Sequence, residues 1–259
     1  MSPISTRQTV RLLQTSDVHI AGGFSTPKSC PHGTECLCPL LAIEAAVEKT
    51  NPDALLIVGD LFDHPRVSDV LVKRTFGVLG RLGIPVVLLA GNHDVQDETS
   101  PYLRHPHHVE GAGVVYLDAP GGSTVELLGG AVRLWAKAME EHEPGYRPLH
   151  GIAESADRDA WFVVCGHGHF VGNEPPEREM RSSPITSCDI AATGADYVAL
   201  GHWHVTTDVS TEHVPAWYSG SPVQSWADGH VLVVDFDPRS GVAVEALPVV
   251  IPAGDCSLH

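Results

Sequence analysis

Five apolar stretches of this chain each end in side chains that commonly bind metal ions, and this repetition restricts the fold more than any other feature. In an open α/β sheet, ligands bind outside the carboxyl ends of the strands. The five polar ends are therefore expected to meet at one site. They are Ser16-Asp17-Val18-His19, Gly59-Asp60, Gly91-Asn92-His93-Asp94, Gly166-His167 and Gly201-His202-Trp203-His204.

The segments between these stretches predict an α/β domain. Apolar residues at helical spacing follow Leu40 until Asn51-Pro52-Asp53, and a second helix is expected from about Val67 to Leu82. Residues 102–113, YLRHPHHVEGAG, are expected to form a loop, and the chain should close with a hairpin around residues 238–241. The 259 residues suit one large domain, so we expect a single domain over residues 1–259.

Composition limits the classes of partner. The formal net charge of −16 repels polyanions, which argues against a tight binder of duplex DNA. Six unevenly spaced cysteines indicate reduced thiols rather than a disulfide framework. No window approaches the roughly 18 apolar residues of a membrane span, and the first residues lack a secretory stretch. We therefore expect a soluble, cytoplasmic protein.

The polar ends supply two half-sites for metal. Side chains two positions apart on a strand point the same way, so Asp17 can converge with His19, and His202 with His204. A centre with two ions about 3.5–4 Å apart needs a bridging carboxylate, for which Asp60 is the best candidate. The mixed ligand set accepts manganese, iron, zinc or cobalt, with manganese as the first choice. The alternative is that these polar residues merely cap strand ends.

Taken in order, the five blocks resemble the calcineurin-like metallophosphoesterase superfamily from roughly Leu12 to Pro222. The resemblance implies an α/β fold, a four-layer αββα sandwich of two mixed sheets flanked by helices. It also implies two divalent metal ions bridged by Asp60. One ion would be held by Asp17, His19, Asp60 and His204, and the second by Asp60, Asn92, His167 and His202.

The same resemblance implies roles for the two residues that follow Asn92. His93 would lie beside the scissile phosphate and either stabilise the transition state or protonate the leaving oxygen. Asp94 would orient His93 through a hydrogen bond. The implied reaction is in-line attack on phosphorus by a metal-bridging hydroxide.

The segments GDLFDHPRVS and YSGSP are more similar to the DNA-repair exonuclease branch, the nuclease subunit of SbcCD-type complexes, than to other branches. This favours a phosphodiesterase acting on nucleic-acid ends or short single strands. The alternatives are a phosphomonoesterase or phosphodiesterase of small molecules, which suits the acidity, and a non-catalytic scaffold. After Pro222 only a hairpin is expected, without a full DNA-capping domain; a homo-oligomer and an ATPase partner both stay open.

Other polar residues have two interpretations each. His169 is either an accessory ligand or a histidine at a loop edge, and Trp203 is either a wall of the site or a packing residue. The histidines of RHPHH either contact substrate or belong to a polar loop; they are His105, His107 and His108. The cysteine-rich segment either binds zinc or, with Lys28, lines the substrate entrance; its candidate ligands are Cys30, His32, Cys36 and Cys38.

Overall fold

The computed structural model describes residues 7–23, 25–26, 33–143, 145–152, 159–173, 183–223, 229–249 and 251. Cys30, His32 and Lys28 lie outside these ranges. The strands are β1 (Val10–Thr15), β2 (Ala54–Val58), β3 (Val86–Leu89), β4 (Val114–Tyr116), β5 (Ser123–Leu127), β6 (Val132–Ala136), β7 (Trp161–His167), β8 (His169–Phe170), β9 (Pro184–Ile185), β10 (Tyr197–Gly201), β11 (Thr207–Asp208), β12 (Ala216–Tyr218), β13 (His230–Asp237) and β14 (Gly241–Pro248). The helices are α1 (Cys38–Thr50), α2 (Asp69–Arg81), α3 (Pro101–Arg104), α4 (Pro106–Gly111) and α5 (Ser187–Ala192).

The first sheet has the order β14-β13-β1-β2-β3-β4. Strands β1 to β4 are parallel, and the terminal hairpin adds β13 antiparallel to β1. Helix α1 ends where Asn51 takes a left-handed backbone conformation, as predicted for the Asn-Pro-Asp stop. Ser68 caps helix α2, because its side chain accepts a hydrogen bond from the Leu71 amide. These two crossovers bring the ends of β1, β2 and β3 to one edge.

The second sheet has the order β11-β12-β10-β7-β6-β5. Its inner strands β6, β7, β10 and β12 are parallel, and β5 and β11 pair antiparallel at the edges. Strands β5 and β6 flank Gly129 and Gly130. The carboxyl ends of β7 and β10 therefore lie side by side, with Gly201 opposite His167 in the register.

The two sheets pack face to face, and alternation along each strand assigns its residues to different layers. Leu12 and Leu56 lie between the sheets against Leu134 and Val163, whereas Leu13 faces helices α1 and α2. Each such buried side chain contributes about 2 kcal/mol through removal of apolar surface from water. Helix α5 and neighbouring loop residues cover the outer face of the second sheet. The predicted αββα arrangement of two mixed sheets is confirmed.

One predicted loop is wrong. Residues 102–113 contain most of α3 and all of α4. Ser100 caps α3 by accepting from the Tyr102 amide, and each helix has a proline in its first turn, where the missing amide proton costs nothing. Among the helices that the structure describes, none combines the length and the apolar character needed to cross a bilayer.

Candidate metal centre

The residues at the strand ends have an unusual backbone. Asp17, His19, Asp60 and His202 have φ values of 53°, 50°, 54° and 110°. Non-glycine residues rarely adopt these conformations, and they persist where surrounding structure enforces them, commonly at functional sites. Here the enforcement is direct, because the His19 amide donates to the Asp60 carbonyl oxygen at 3.0 Å.

The first half of the site joins the end of β1 to the loop after β10. Nε2 of His19 lies 3.2 Å from Nε2 of His204, 3.9 Å from Oδ1 of Asp17 and 3.7 Å from Oδ2 of Asp60. Nε2 of His204 lies 3.7 Å from the same Asp17 oxygen. Four predicted ligands thus converge on one small volume.

The second half joins the ends of β2, β3, β7 and β10. Nε2 of His167 lies 3.0 Å from Oδ1 of Asn92 and 3.3 Å from Oδ2 of Asp60. Nδ1 of His202 lies 2.8 Å from the same Asn92 oxygen. Oδ2 of Asp60 therefore faces His19 on one side and His167 on the other.

The ligand atoms fit divalent cations. Oδ1 of Asp17 is buried and has no hydrogen-bond partner among the described residues. The second carboxylate oxygen of Asp17, Oδ2, accepts a hydrogen bond from the His202 amide at 3.0 Å. Nδ1 of His167 donates to the Val58 carbonyl oxygen at 2.9 Å, which leaves Nε2 facing the oxygens of Asn92 and Asp60. Donors bound to one ion at about 2.1 Å lie about 3.0–3.4 Å apart for bond angles of about 90–110°. The separations around His167 match that range.

The electrostatics of the centre follow from burial and close charges. Burial lowers the pKa of His167, but the Asp60 carboxylate outweighs it and raises this pKa to about 9. Burial raises the pKa of Asp60, and the charge of His167 more than offsets that, so this pKa lies well below its usual range. Burial and the charge of His167 lower the pKa of His202 to about 3. His202 is therefore neutral at physiological pH, the form that binds metal.

His93 has a different partner from the one predicted. Its Nδ1 donates to the backbone carbonyl oxygen of Asp63 at 2.7 Å, and its amide donates to Oδ1 of Asp60 at 2.8 Å. The carboxylate of Asp63 accepts from Nδ1 of His19 at 2.9 Å. Asp63 was not predicted as a site residue, although it lies only three positions beyond Asp60 in the quoted segment GDLFDHPRVS.

The prediction that Asp94 orients His93 by a direct hydrogen bond is wrong. The buried Asp94 carboxylate accepts from the Gly91 amide at 2.8 Å, the Phe62 amide at 3.1 Å and the hydroxyl of Tyr102. Burial and the charge of Asp60 raise the pKa of Asp94 despite these bonds. Asp94 thus fixes the turn that carries Asn92 and His93 instead of contacting the His93 ring.

Three glycines provide room for the ligands. A Cβ at Gly91 would lie 2.2 Å from Oδ1 of Asp60, and one at Gly59 would lie 2.1 Å from Nδ1 of His167. A Cβ at Gly201 would lie 1.9 Å from the Val58 carbonyl oxygen. Contacts this short do not occur for real side chains, so each glycine is required for the close approach of the strand ends.

Two more rings surround His202. The ring of His169 lies 5.9 Å from it, and Nδ1 of His169 accepts from the Trp203 indole at 3.1 Å. Trp203 stacks on Tyr218 at 4.9 Å, so the packing interpretation of Trp203 has a direct partner. His142, which sequence reasoning missed, lies 5.6 Å from His202 and has a buried Nε2 without a hydrogen-bond partner in the described structure.

Residues 10–206 match the protein-family model described as calcineurin-like phosphoesterase. The chain is 25% identical to a subunit of nuclease SbcCD from Staphylococcus epidermidis, with 83% of this chain and 62% of that protein covered. It is 29% identical to the uncharacterized metallophosphoesterase YhaO of Bacillus subtilis, with coverages of 69% and 43%. The chain thus spans less than two thirds of either relative. A solved structure from Thermus thermophilus shares the fold, with a TM-score of 0.54, 11% identity and coverages of 92% and 99%.

Proposed function

Because the chain belongs to the calcineurin-like phosphoesterase family, we propose that it hydrolyses phosphodiesters at a centre for two divalent metal ions. The observation that carries this proposal is the convergence of all seven predicted ligands around Asp60, with Oδ1 of Asp17 buried and unpartnered among the described residues. Asp17, His19, Asp60 and His204 would hold one ion, and Asp60, Asn92, His167 and His202 the other. Manganese suits this mixed set of oxygen and imidazole ligands.

Two bound divalent cations would lower the pKa of water toward neutrality and would neutralise charge on the phosphoryl oxygens. Neighbouring groups of the protein orient the proposed ligands. Asp63 fixes the His19 ring, and the Val58 carbonyl oxygen fixes the tautomer of His167. Such preorganisation avoids a cost of reordering when charge develops in the transition state.

His93 is the proposed proton donor to the leaving oxygen. Its Nδ1 is bound to the Asp63 carbonyl oxygen, which leaves Nε2 for the substrate. Its side chain is 38% exposed, whereas the ligand His19 is fully buried, so a phosphoester can reach His93 from solvent. The Asp63 carboxylate lies 3.6 Å from Nδ1. Asp94 acts as a positioning residue through the turn that bears His93.

The proposed substrate is a nucleic-acid end or a short single strand, by analogy with the relative from nuclease SbcCD. One feature supports the alternative of a small phosphoester. A cavity of about 520 Å³ lies beyond the GNHD turn and is lined by Gln96 and Lys137 together with several carboxylates. Those acidic residues are Asp97, Glu140, Glu141 and Glu143. These carboxylates disfavour the binding of a long polyanion in this cavity.

The test compares substrates with manganese present: bis(p-nitrophenyl) phosphate, p-nitrophenyl phosphate, and end-labelled single-stranded and double-stranded DNA. We expect diester and single-strand cleavage that disappears in Asp60→Ala. Asp118→Ala, which changes an exposed aspartate, is the matched control and should retain activity. Monoester turnover with intact DNA would replace the nucleic-acid substrate with a small molecule. Inactivity of the folded wild type on every substrate would contradict the proposal.

A further inference from the structure

We propose that His105, His107 and His108 form a further metal site, which binds a divalent transition cation such as Zn²⁺ at the junction of α2, α3 and α4, with the Asp69 carboxylate beside it. The three histidines are separate from the seven residues proposed to bind metal around Asp60. The inference does not rest on the proposed phosphoesterase activity, because it uses none of the residues of that centre.

Three imidazoles converge at this junction. His105 connects α3 to α4, and His107 and His108 lie in the first turn of α4. Each ring offers a nitrogen, and the three nitrogens lie within 4.8 Å of one another. The ring centroids are 4.1 Å apart for His107 and His108 and 5.8 Å apart for His105 and His108. No substrate contact is needed to explain this cluster.

The surroundings of Nε2 of His105 favour a cation as the ligand. It is buried and makes no hydrogen bond to a described residue, although Oδ1 of Asp69 lies only 3.0 Å away. The carboxylate thus sits close to this nitrogen but off its hydrogen-bonding direction. Two donors bound to one ion at about 2.1 Å lie about 3.0 Å apart when their bonds are perpendicular. The separation of Nε2 from the carboxylate oxygen has this value, so the carboxylate lies close enough to balance the charge of an ion bound to Nε2.

The donor set selects the class of ion. Three imidazoles suit Zn²⁺, and they suit Mg²⁺ or Ca²⁺ poorly because those ions prefer oxygen. His107 is exposed, so an ion can enter from solvent.

A bound ion would link three helices. Asp69 is the first residue of α2, so attraction between its carboxylate and an ion bound to His105 would tie that terminus to the junction of α3 and α4. Helix α3 also carries Tyr102, whose hydroxyl donates to Asp94. The expected effect is stabilisation of the protein by zinc.

The experiment counts zinc bound to metal-stripped wild type after equilibrium dialysis against Zn²⁺, using elemental analysis. The double variant His107→Gln/His108→Gln should bind one equivalent fewer than wild type. His213→Gln removes an exposed histidine elsewhere and should bind the same amount as wild type. Zinc at about 100 times its Kd should raise the Tm of wild type by about 5 °C more than that of the double variant.

The site is tested by the difference in zinc content between wild type and the double variant, not by the total zinc content. This test is therefore independent of whether the Asp60 centre binds two ions. Circular dichroism of the metal-free proteins shows whether the double variant folds; with both changes in the first turn of α4, we expect the wild-type spectrum. Equal zinc content in folded wild type and double variant would overturn the inference. An equal loss in His213→Gln would also overturn it, since binding would then be nonspecific.

Discussion

The close approach of Gly91 to Asp60 gives the sharpest prediction. In Gly91→Ala the new Cβ would lie 2.2 Å from Oδ1 of Asp60, and real Cβ contacts stay above 3.0 Å. The carboxylate or the turn must therefore shift by about 0.8 Å. A displacement of about 1 Å at a reacting centre can cost about 100-fold in rate. We expect kcat/KM for bis(p-nitrophenyl) phosphate to fall by about 100-fold.

The control for this change is Gly77→Ala. Gly77 lies within α2, and the nearest atom to its new Cβ would be 4.0 Å away on the Arg81 side chain, an ordinary contact. Replacing a helical glycine with alanine stabilises by up to about 1 kcal/mol, and activity should stay at the wild-type level. Folded Gly91→Ala with kcat/KM within about twofold of wild type would refute the argument that this glycine makes room for Asp60.

Three further perturbations test other contacts. His93→Gln should lower kcat/KM by about 100-fold to 10,000-fold with unchanged metal content; loss of metal would contradict its role as a proton donor. Tyr102→Phe removes a buried donor to Asp94 and should lower the free energy of unfolding in urea by about 1–3 kcal/mol, more than Tyr116→Phe, whose hydroxyl donates to a neutral amide. Burial raises the pKa of Asp189, but hydrogen bonds from His150 and Thr186 outweigh it and lower this pKa. The Asp189 carboxylate contributes fully to stability above the unfolded-chain pKa near 3.8, and this contribution is lost as pH falls through the lower folded-state pKa. The difference in free energy of unfolding between wild type and Asp189→Asn should therefore disappear in acid. A difference that grows in acid would refute the assignment.

The layered fold was predictable because apolar runs and strand ends coincide. Buried strands such as β2 read as continuous apolar segments, and their carboxyl ends carry the proposed ligands. The convergence of distant residues such as Asp17 and His204 follows from sheet order alone. Spacing along the sequence thus predicted which residues meet at the candidate site.

The partner of Asp94 was missed for a specific reason. Residues 102–113 were predicted as a loop from their polar and proline-rich composition, so α3 and its Tyr102 hydroxyl had no place beside the GNHD turn. The signal was present, since a serine followed by proline is a common helix start. Asp63 was missed differently, because its contact with His19 spans 44 positions and depends on the turn after β2.

The most direct measurement of the central claim is a crystal structure of the protein soaked in manganese, with anomalous scattering recorded at the manganese edge. We predict two peaks about 3.5–4 Å apart. Asp60 should bridge them, with Asp17, His19 and His204 around one peak and with Asn92, His167 and His202 around the other. An absence of peaks at these residues, or a single peak without a bridging Asp60, would contradict the account.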